Sequence, residues 1–225
     1  MDIEKAESKA LAGVASIMML SLHLWAYPSW VTNGIPVNLF GIHPQSLIQP
    51  LRLCVLIFAF LNGYGFAIGK DKTIKGTLVR IFRFLIKYWL VWLCVFLFAL
   101  YFGYKPNLIL ELRTMLGLSK GLMIFNWYVL FYVFSLSILL VANKFIEQGL
   151  MQQIMFSGIS FTTIYILRKI LPTSDILTLL HNSQYYFPFT MLGYIFAKNK
   201  LHIRSGGLKV LILIGGGAVC LYRIK

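Results

Sequence analysis

The sequence predicts an all-α integral membrane protein with about seven transmembrane helices and a cytoplasmic N-terminus. Of its 225 residues, 59% are hydrophobic and only 12% are charged, whereas soluble globular chains are about 45–50% apolar and about 25% charged. The apolar residues form long runs, and all seven acidic residues lie in the polar breaks between them. Because burying a carboxylate in hydrocarbon is costly, a bilayer requires this distribution.

Seven apolar runs are candidates for spanning helices, which need about 20 mostly apolar residues. The runs lack the alternation of strands, so helices are the structures that satisfy their backbone in lipid. The sixth run is interrupted by the polar stretch 181–184, and Pro188 is expected to kink it. The seventh is short and contains three consecutive glycines. The predicted spans are residues 11–27, 51–69, 84–104, 122–142, 151–167, 176–197 and 208–222.

The basic residues predict the orientation, because Lys and Arg accumulate in cytoplasmic loops. The segment 28–50 has neither and is expected outside, which places the N-terminus in the cytoplasm. The net charge of +14 follows from this asymmetry, so we expect no nucleic-acid partner. One basic cluster, before and at the start of the third span, comprises Lys70, Lys72, Lys75, Arg80, Arg83 and Lys87, and the other, after the sixth, comprises Lys198, Lys200, Arg204 and Lys209.

His23 is an ionisable residue deep within the first predicted span. It follows Lys9 by fourteen residues, which is about 21 Å along a helix at about 1.5 Å per residue. His23 is therefore expected in the outer half of the bilayer. An intramembrane histidine indicates a functional site, although a histidine that joins two helices by a hydrogen bond is equally compatible with the sequence.

Three basic residues begin the third predicted span. Arg80, Arg83 and Lys87 are three and four residues apart, so a helix presents them on one face. Such a face can anchor the chain to anionic lipid headgroups. It can also bind a polyanionic cofactor, because guanidinium groups bind phosphate oxygens in a bidentate manner.

Two further segments combine polar, aromatic and small residues. Asn62-Gly63-Tyr64-Gly65 lies near the inner end of the second span, and Asn126-Trp127-Tyr128 lies near the outer end of the fourth. Helix packing and interfacial anchoring are the alternatives to a binding role for these segments. Cys54, Cys94 and Cys220 occupy apolar runs without any C-x-x-C spacing, so neither a metal site nor a disulfide is expected.

Taken in order, these segments resemble the acyltransferase 3 family of bacterial membrane proteins, which acylate cell-surface polysaccharides and related carbohydrates. The first helix of the family has the pattern basic-Gly-aliphatic-Ala…His, and the second helix ends in an aromatic-rich Ser-Gly-Tyr-Gly segment. Further family features are an Arg-x-x-Arg segment that leads to Tyr-Trp, an aromatic pair, and a glycine-bearing helix before a basic loop. The matching segments here are 8–23, 58–65, 80–89, 126–128 and 189–198.

The resemblance implies transfer of an acyl group, expected to be acetyl, from acyl-CoA to a hydroxyl of a cell-surface carbohydrate. It implies His23 as the catalytic base, and Arg80, Arg83 and Lys87 as contacts of the acyl donor. Asn62, Tyr64, Trp127 and Tyr128 are then expected to bind substrate. The implied location is the bacterial plasma membrane, with lipids, acyl-CoA and the carbohydrate as partners, no permanently bound cofactor or metal, and assembly into a homo- or hetero-oligomer left open.

Two features depart from the family pattern. Members carry Arg or Lys eleven residues before the histidine, where this chain has Ala12, and members have about ten helices. We therefore expect residues 1–225 to form a single membrane domain that is C-terminally incomplete. An inactive or truncated relative that acts as an assembly partner is one alternative function. A transporter or flippase subunit is the other, but its expected midplane ionisable or broken-helix sites are suggested only by His23 and Gly215–Gly217.

Overall fold

A computed structural model of the chain describes residues 5–25, 51–119, 127–171 and 175–199. Within these ranges every element of regular secondary structure is a helix, so the predicted all-α class is confirmed. The seven described helices are α1 (Lys5–Trp25), α2 (Leu53–Ile68), α3 (Ile74–Tyr101), α4 (Leu108–Met115), α5 (Trp127–Ile146), α6 (Leu150–Ile170) and α7 (Asp175–Lys198).

Three of the described helices, α3, α5 and α6, are long and apolar enough to cross a membrane. They correspond to the predicted third, fourth and fifth spans. Helix α2 is also apolar, but its 16 residues extend only about 24 Å against a hydrocarbon core of about 30 Å. The predicted seventh span and the loop 28–50 lie outside the described residues, and the cytoplasmic N-terminus stays a prediction.

Helix α3 begins at Ile74, ten residues before the predicted start of its span. Thr73 is the N-cap, and its hydroxyl accepts a hydrogen bond of 3.1 Å from the backbone N–H of Gly76. The carboxylate of Asp71 in turn accepts hydrogen bonds from the hydroxyl and the N–H of Thr73. These bonds lower the pKa of Asp71, and they satisfy donors that a helix start otherwise leaves without partners.

Arg80 closes the turn between α2 and α3. Its guanidinium donates a hydrogen bond of 3.2 Å to the carbonyl oxygen of Asp71. It also occupies the space beside Gly69, where an added Cβ would overlap it. Lys72 in the same turn forms an ion pair of 2.8 Å with Glu147, which follows the end of α5. These contacts hold the start of α3 against the turn that precedes it, and they connect that turn to the end of α5.

The short helix α4 was not among the predicted elements. After Gly103, which has a φ of 85°, the chain reverses and α4 runs back beside α3. Tyr88 OH donates to the carbonyl of Thr114 at 2.7 Å, and Trp89 Nε1 donates to that of Met115 at 2.9 Å. Tyr88 adds a second bond to the Thr114 carbonyl, which also accepts from the N–H of Gly117 at 2.9 Å. Trp89 bonds the carbonyl of the last residue of α4, which a helix end leaves without an intrahelical partner.

The chain divides into two compact units. Helices α3 to α6 and the first part of α7, to Met191, belong to one unit, in which α3 packs on α5 and α5 on α6. The stacked rings of Phe84 and Tyr132, 4.1 Å apart, lie at the contact of α3 with α5. Helices α1 and α2 and the end of α7, from Leu192, belong to the other unit.

Gly193 allows α7 to lie directly against the backbone of α2. A Cβ at this position would overlap the carbonyl oxygen of Phe60 and would lie 3.0 Å from the backbone nitrogen of Tyr64. The rings of Phe60 and Phe196 pack beside this contact, 5.8 Å apart. Small residues permit such close crossings of apolar helices, whose association depends on packing.

Gly193→Ala is expected to lower stability by about 1–3 kcal/mol, because the added methyl group meets backbone atoms that cannot move aside. Gly65→Ala is the matched control, since the space around Gly65 is open. Both changes favour the helical backbone to a similar extent, so their difference isolates the overlap. Thermal unfolding of the solubilised protein measures it, and equal midpoints for the two variants would contradict the close crossing.

Candidate functional site

His23 lies in α1, two residues before the end of the helix at Trp25. Its backbone is helical as predicted, but its side chain lies outside the described residues. Nearer the start of the same helix, the hydroxyl of Ser16 donates a hydrogen bond of 2.8 Å to the carbonyl of Ala12, one turn earlier. The catalytic role of His23 stays a prediction.

Asn62 and Tyr64 are buried in α2, in the same unit as α1. The ring of Tyr64 stacks on that of Phe60 at 6.1 Å, and its backbone borders the Gly193 crossing. This environment is that of packing residues. A substrate-binding role for the two side chains stays a prediction.

The three basic residues of α3 lie on one helix, as their spacing predicted, but their surroundings differ. Arg80 is half-buried in the turn, whereas Arg83 and Lys87 are exposed. Arg83 also borders an open apolar surface formed by residues of α3 alone. An exposed guanidinium can bind the anionic head of an amphiphile. The surface comprises Leu78, Val79, Ile81, Phe82, Arg83 and Leu85.

Trp127 and Tyr128 belong to an aromatic cluster at the start of α5. Trp127 stacks on Tyr186 of α7 at 5.3 Å, and Tyr186 meets the ring of Phe131 edge-on at 6.1 Å. Tyr128 contacts Phe84 of α3 at 6.4 Å. The sequence singled out Trp127 and Tyr128, but it gave no sign of Tyr186 or Phe131 because aromatic residues are common throughout the apolar runs.

The polar stretch of α7 is buried, although it was predicted only as an interruption of a span. Asn182, Ser183 and Gln184 are almost inaccessible, and Arg168 of α6 donates a hydrogen bond of 2.9 Å to the side-chain oxygen of Gln184. The helix is continuous through Pro188. The sequence could have predicted the burial of these residues, because polar side chains within an apolar helix usually face the interior of a helix bundle.

Glu111 is a buried carboxylate that the sequence placed in a polar break. It lies on α4 and is 2% exposed, and its Oε1 accepts a hydrogen bond of 2.7 Å from Tyr104. Glu111 Oε2 is buried without a hydrogen-bond partner, and so is the indole nitrogen of Trp92 on α3. Burial of Glu111 depends on how α4 folds back, which periodicity does not reveal.

The predicted site residues fall into both units. His23, Asn62 and Tyr64 belong to the unit of α1 and α2, whereas the basic residues of α3 and the Trp127–Tyr128 pair belong to the other. Within the described parts of the chain, no three His, Cys, Asp or Glu residues are grouped closely enough to hold a metal ion.

Comparison with protein-family models, with curated proteins and with solved structures gave no match to this chain. The described helices define it as an all-helical protein with three helices of membrane-spanning length and composition.

Proposed function

We propose that the chain is a multi-pass protein of the bacterial plasma membrane that transfers an acyl group, acetyl in the first instance, from acyl-CoA to a hydroxyl of a cell-surface carbohydrate. The observation that carries the proposal is the exposed cationic pair, Arg83 and Lys87, on one face of α3. The order of the sequence segments supports the same activity. The N-terminus is cytoplasmic in this proposal, and His23 lies in the outer half of the bilayer.

Membrane integration is supported by the surface of α3. Its large apolar side chains are widely exposed, with Leu90 at 58%, Phe82 at 56% and Phe98 at 66%. Soluble monomers rarely expose contiguous apolar patches of more than a few hundred Å². In a bilayer this apolar surface contacts hydrocarbon, which is more favourable than contact with water.

The orientation of α3 predicts opposite accessibilities for its two ends. Lys70 before the helix and Lys105 after it are both exposed, so cysteine at either position can be labelled without disturbing packing. With the basic end in the cytoplasm, an impermeant thiol reagent is expected to label Lys105→Cys on intact cells and Lys70→Cys only after permeabilisation. The exposed Cys94 is first replaced by Ser in both variants. Labelling of Lys70→Cys on intact cells would reverse the proposed orientation.

The donor site in this proposal is built on Arg83 and Lys87. The guanidinium of Arg83 forms paired hydrogen bonds with phosphate oxygens of the CoA moiety, and Lys87, one turn further along α3, adds a second positive charge. Arg80 contributes indirectly, because its contacts with Asp71 and Gly69 hold the start of α3 in place. The donor approaches from the cytoplasm, where the basic residues attract its phosphates.

The chemistry needs one base. His23 accepts the proton of the acceptor hydroxyl as its oxygen attacks the thioester carbonyl, and the carbon–sulfur bond then breaks to release CoA. The proton held by the imidazole passes to the departing thiolate, so the histidine is regenerated. Histidine suits this role because its ordinary pKa lies close to neutrality.

The function is tested in bacteria that lack envelope O-acetylation. Cells expressing the chain are compared with cells carrying the empty vector, and the released envelope carbohydrate is analysed by mass spectrometry before and after mild alkaline de-esterification. Alkali-labile acetyl groups that appear only with the chain are the expected result. Unchanged carbohydrate in cells whose membranes contain the inserted chain would contradict the function.

A further inference from the structure

The second half of α3 exposes a stripe of uncharged side chains along one face of the helix. The stripe residues follow one another at alternating intervals of four and three positions, which is the spacing of a coiled-coil seam. All of them are exposed in the single chain, Tyr101 most of all at 84%. This α3 stripe comprises Leu90, Cys94, Leu97 and Tyr101.

Helix α4 packs against the other side of α3. The hydroxyl of Tyr88 donates to the carbonyl of Thr114 on α4, and Tyr88 precedes Leu90 by two positions. Because each residue turns a helix by about 100°, the side chains of Tyr88 and Leu90 point about 200° apart. The α3 stripe therefore faces away from α4.

Helix α5 also leaves the stripe uncovered, because it begins beside the middle of α3. The ion pair of Lys72 with Glu147 and the stacking of Phe84 on Tyr132 show that α5 runs antiparallel to α3. Helix α5 begins at Trp127, five positions before Tyr132. On α3 this level lies about five positions after Phe84, which is where the stripe begins.

The distribution of charge indicates what can pack on the stripe. Residues 88–104 contain no charged side chain, whereas Arg83 and Lys87 continue the same face toward the start of α3. The chain carries a net charge of +14, so two copies repel each other wherever their basic segments meet. On the α3 stripe two copies can meet without placing like charges opposite each other.

The stripe and its borders are large enough for a specific interface. Val91, Leu93, Phe98 and Leu100 flank the stripe, and all four are exposed. At their observed exposure, the rings of Phe98 and Tyr101 alone can bury about 200–400 Å² per copy. The aliphatic side chains raise this area toward about 800 Å² per partner, which is the size of a standard protein interface.

We propose that the α3 stripe, which a single copy leaves to lipid, is the contact between two copies of this chain. Both copies insert with the same orientation, so a two-fold axis along the membrane normal places their α3 helices parallel and each stripe residue opposite its own counterpart. Cys94 is the small residue of the stripe, and it allows the two helices to approach closely at the centre of the contact. The basic ends of the two helices diverge at a crossing angle of about 20°, which leaves Arg83 and Lys87 accessible.

The native thiol of Cys94 tests this contact directly. The chain carrying Cys220→Ser is reconstituted in lipid vesicles and oxidised with copper phenanthroline. A disulfide needs Cβ atoms about 3.5–4.5 Å apart, so a covalent dimer that a reducing agent dissociates is the expected result.

The matched control moves the thiol by one position, in the double variant Cys94→Ser, Val95→Cys. Val95 is also exposed, but its side chain points about 100° away from that of Cys94. The control should therefore remain monomeric on a non-reducing gel. Equal dimer formation by the control, or no dimer from Cys94, would overturn the contact.

Energy transfer between donor-labelled and acceptor-labelled copies measures the association without a crosslink. Cys94→Trp places a bulky side chain in the contact and should raise the protein-to-lipid ratio of half-association about tenfold or more. Val95→Trp should leave this ratio unchanged. Equal association of the two variants, or a parent chain that stays monomeric at every ratio, would contradict the proposal. Should Cys94→Trp fail to insert, oxidation of the native thiol decides.

Oxidation in cell membranes distinguishes a second copy from any other occupant. The expected adduct of Cys94 has twice the 25.7 kDa mass of the chain. An adduct of another mass would assign the stripe to a different protein, and no adduct would leave it to lipid, so either result would refute the contact between copies. These measurements do not use acyl transfer, so the contact and the proposed function can fail separately.

Discussion

Replacement of His23 by Ala is expected to lower the rate of acyl transfer about 10²–10⁴-fold, because that is the contribution of a positioned general base. The amount of chain in the membrane should stay unchanged, since an alanine in an apolar helix favours both insertion and helix formation. Transfer is measured in membranes with labelled acetyl-CoA and quantified against the amount of inserted protein.

The matched control is His202→Ala, which removes an imidazole from the basic segment after the sixth predicted span. It should transfer acetyl at the rate of the parent. If His23→Ala were also as active as the parent, His23 would be a residue that joins helices by hydrogen bonds, and the proposed base would be wrong.

Arg80 and Arg83 should respond differently to the loss of charge, although they are only three residues apart. Arg83→Gln is expected to raise KM for acyl-CoA about tenfold or more, because a charge-assisted hydrogen bond is worth about 1.5–3 kcal/mol. Its thermal midpoint should not change, since the side chain is exposed. Arg80→Gln should lower the midpoint instead, because it loses the bond to Asp71 that closes the turn before α3.

Arg83→Lys sharpens this comparison. A lysine keeps the charge but not the paired donors that fit a phosphate, so KM should recover only partly. Full recovery would indicate a nonspecific attraction to anionic headgroups, and an unchanged KM in Arg83→Gln would exclude Arg83 from the donor site.

The fold class and helices α5 to α7 could be predicted from sequence because their apolar runs end at clear polar breaks. The start of α3 could not be predicted in this way. An apolar run marks only the part of a helix that can lie in lipid, and it does not reveal a polar first part of the same helix. The capping signal was nevertheless present at Asp71 and Thr73, which precede the helix. Asn107 likewise caps α4, but an eight-residue helix is too short for periodicity to reveal.

Only the part of the candidate site that depends on local helix geometry could be predicted from the sequence. Because a helix brings residues four apart onto the same face, the sequence alone predicts that Arg83 and Lys87 lie side by side. The burial of Glu111 depends on α4 folding back beside α3, which is a tertiary contact. The distinction between Arg80 and Arg83 depends on the turn beside Gly69, and nothing in their spacing reveals it.

Transfer across a sealed membrane tests the proposed acyltransferase most directly. Right-side-out vesicles that contain the chain are loaded with labelled acetyl-CoA, and the envelope carbohydrate of a non-acetylated strain is added outside. Labelled carbohydrate outside, with an equal amount of CoA released inside and neither seen with His23→Ala, is the predicted result. Vesicles that contain correctly inserted parent chain and intact acetyl-CoA, yet leave the carbohydrate unlabelled, would contradict the acyltransferase function.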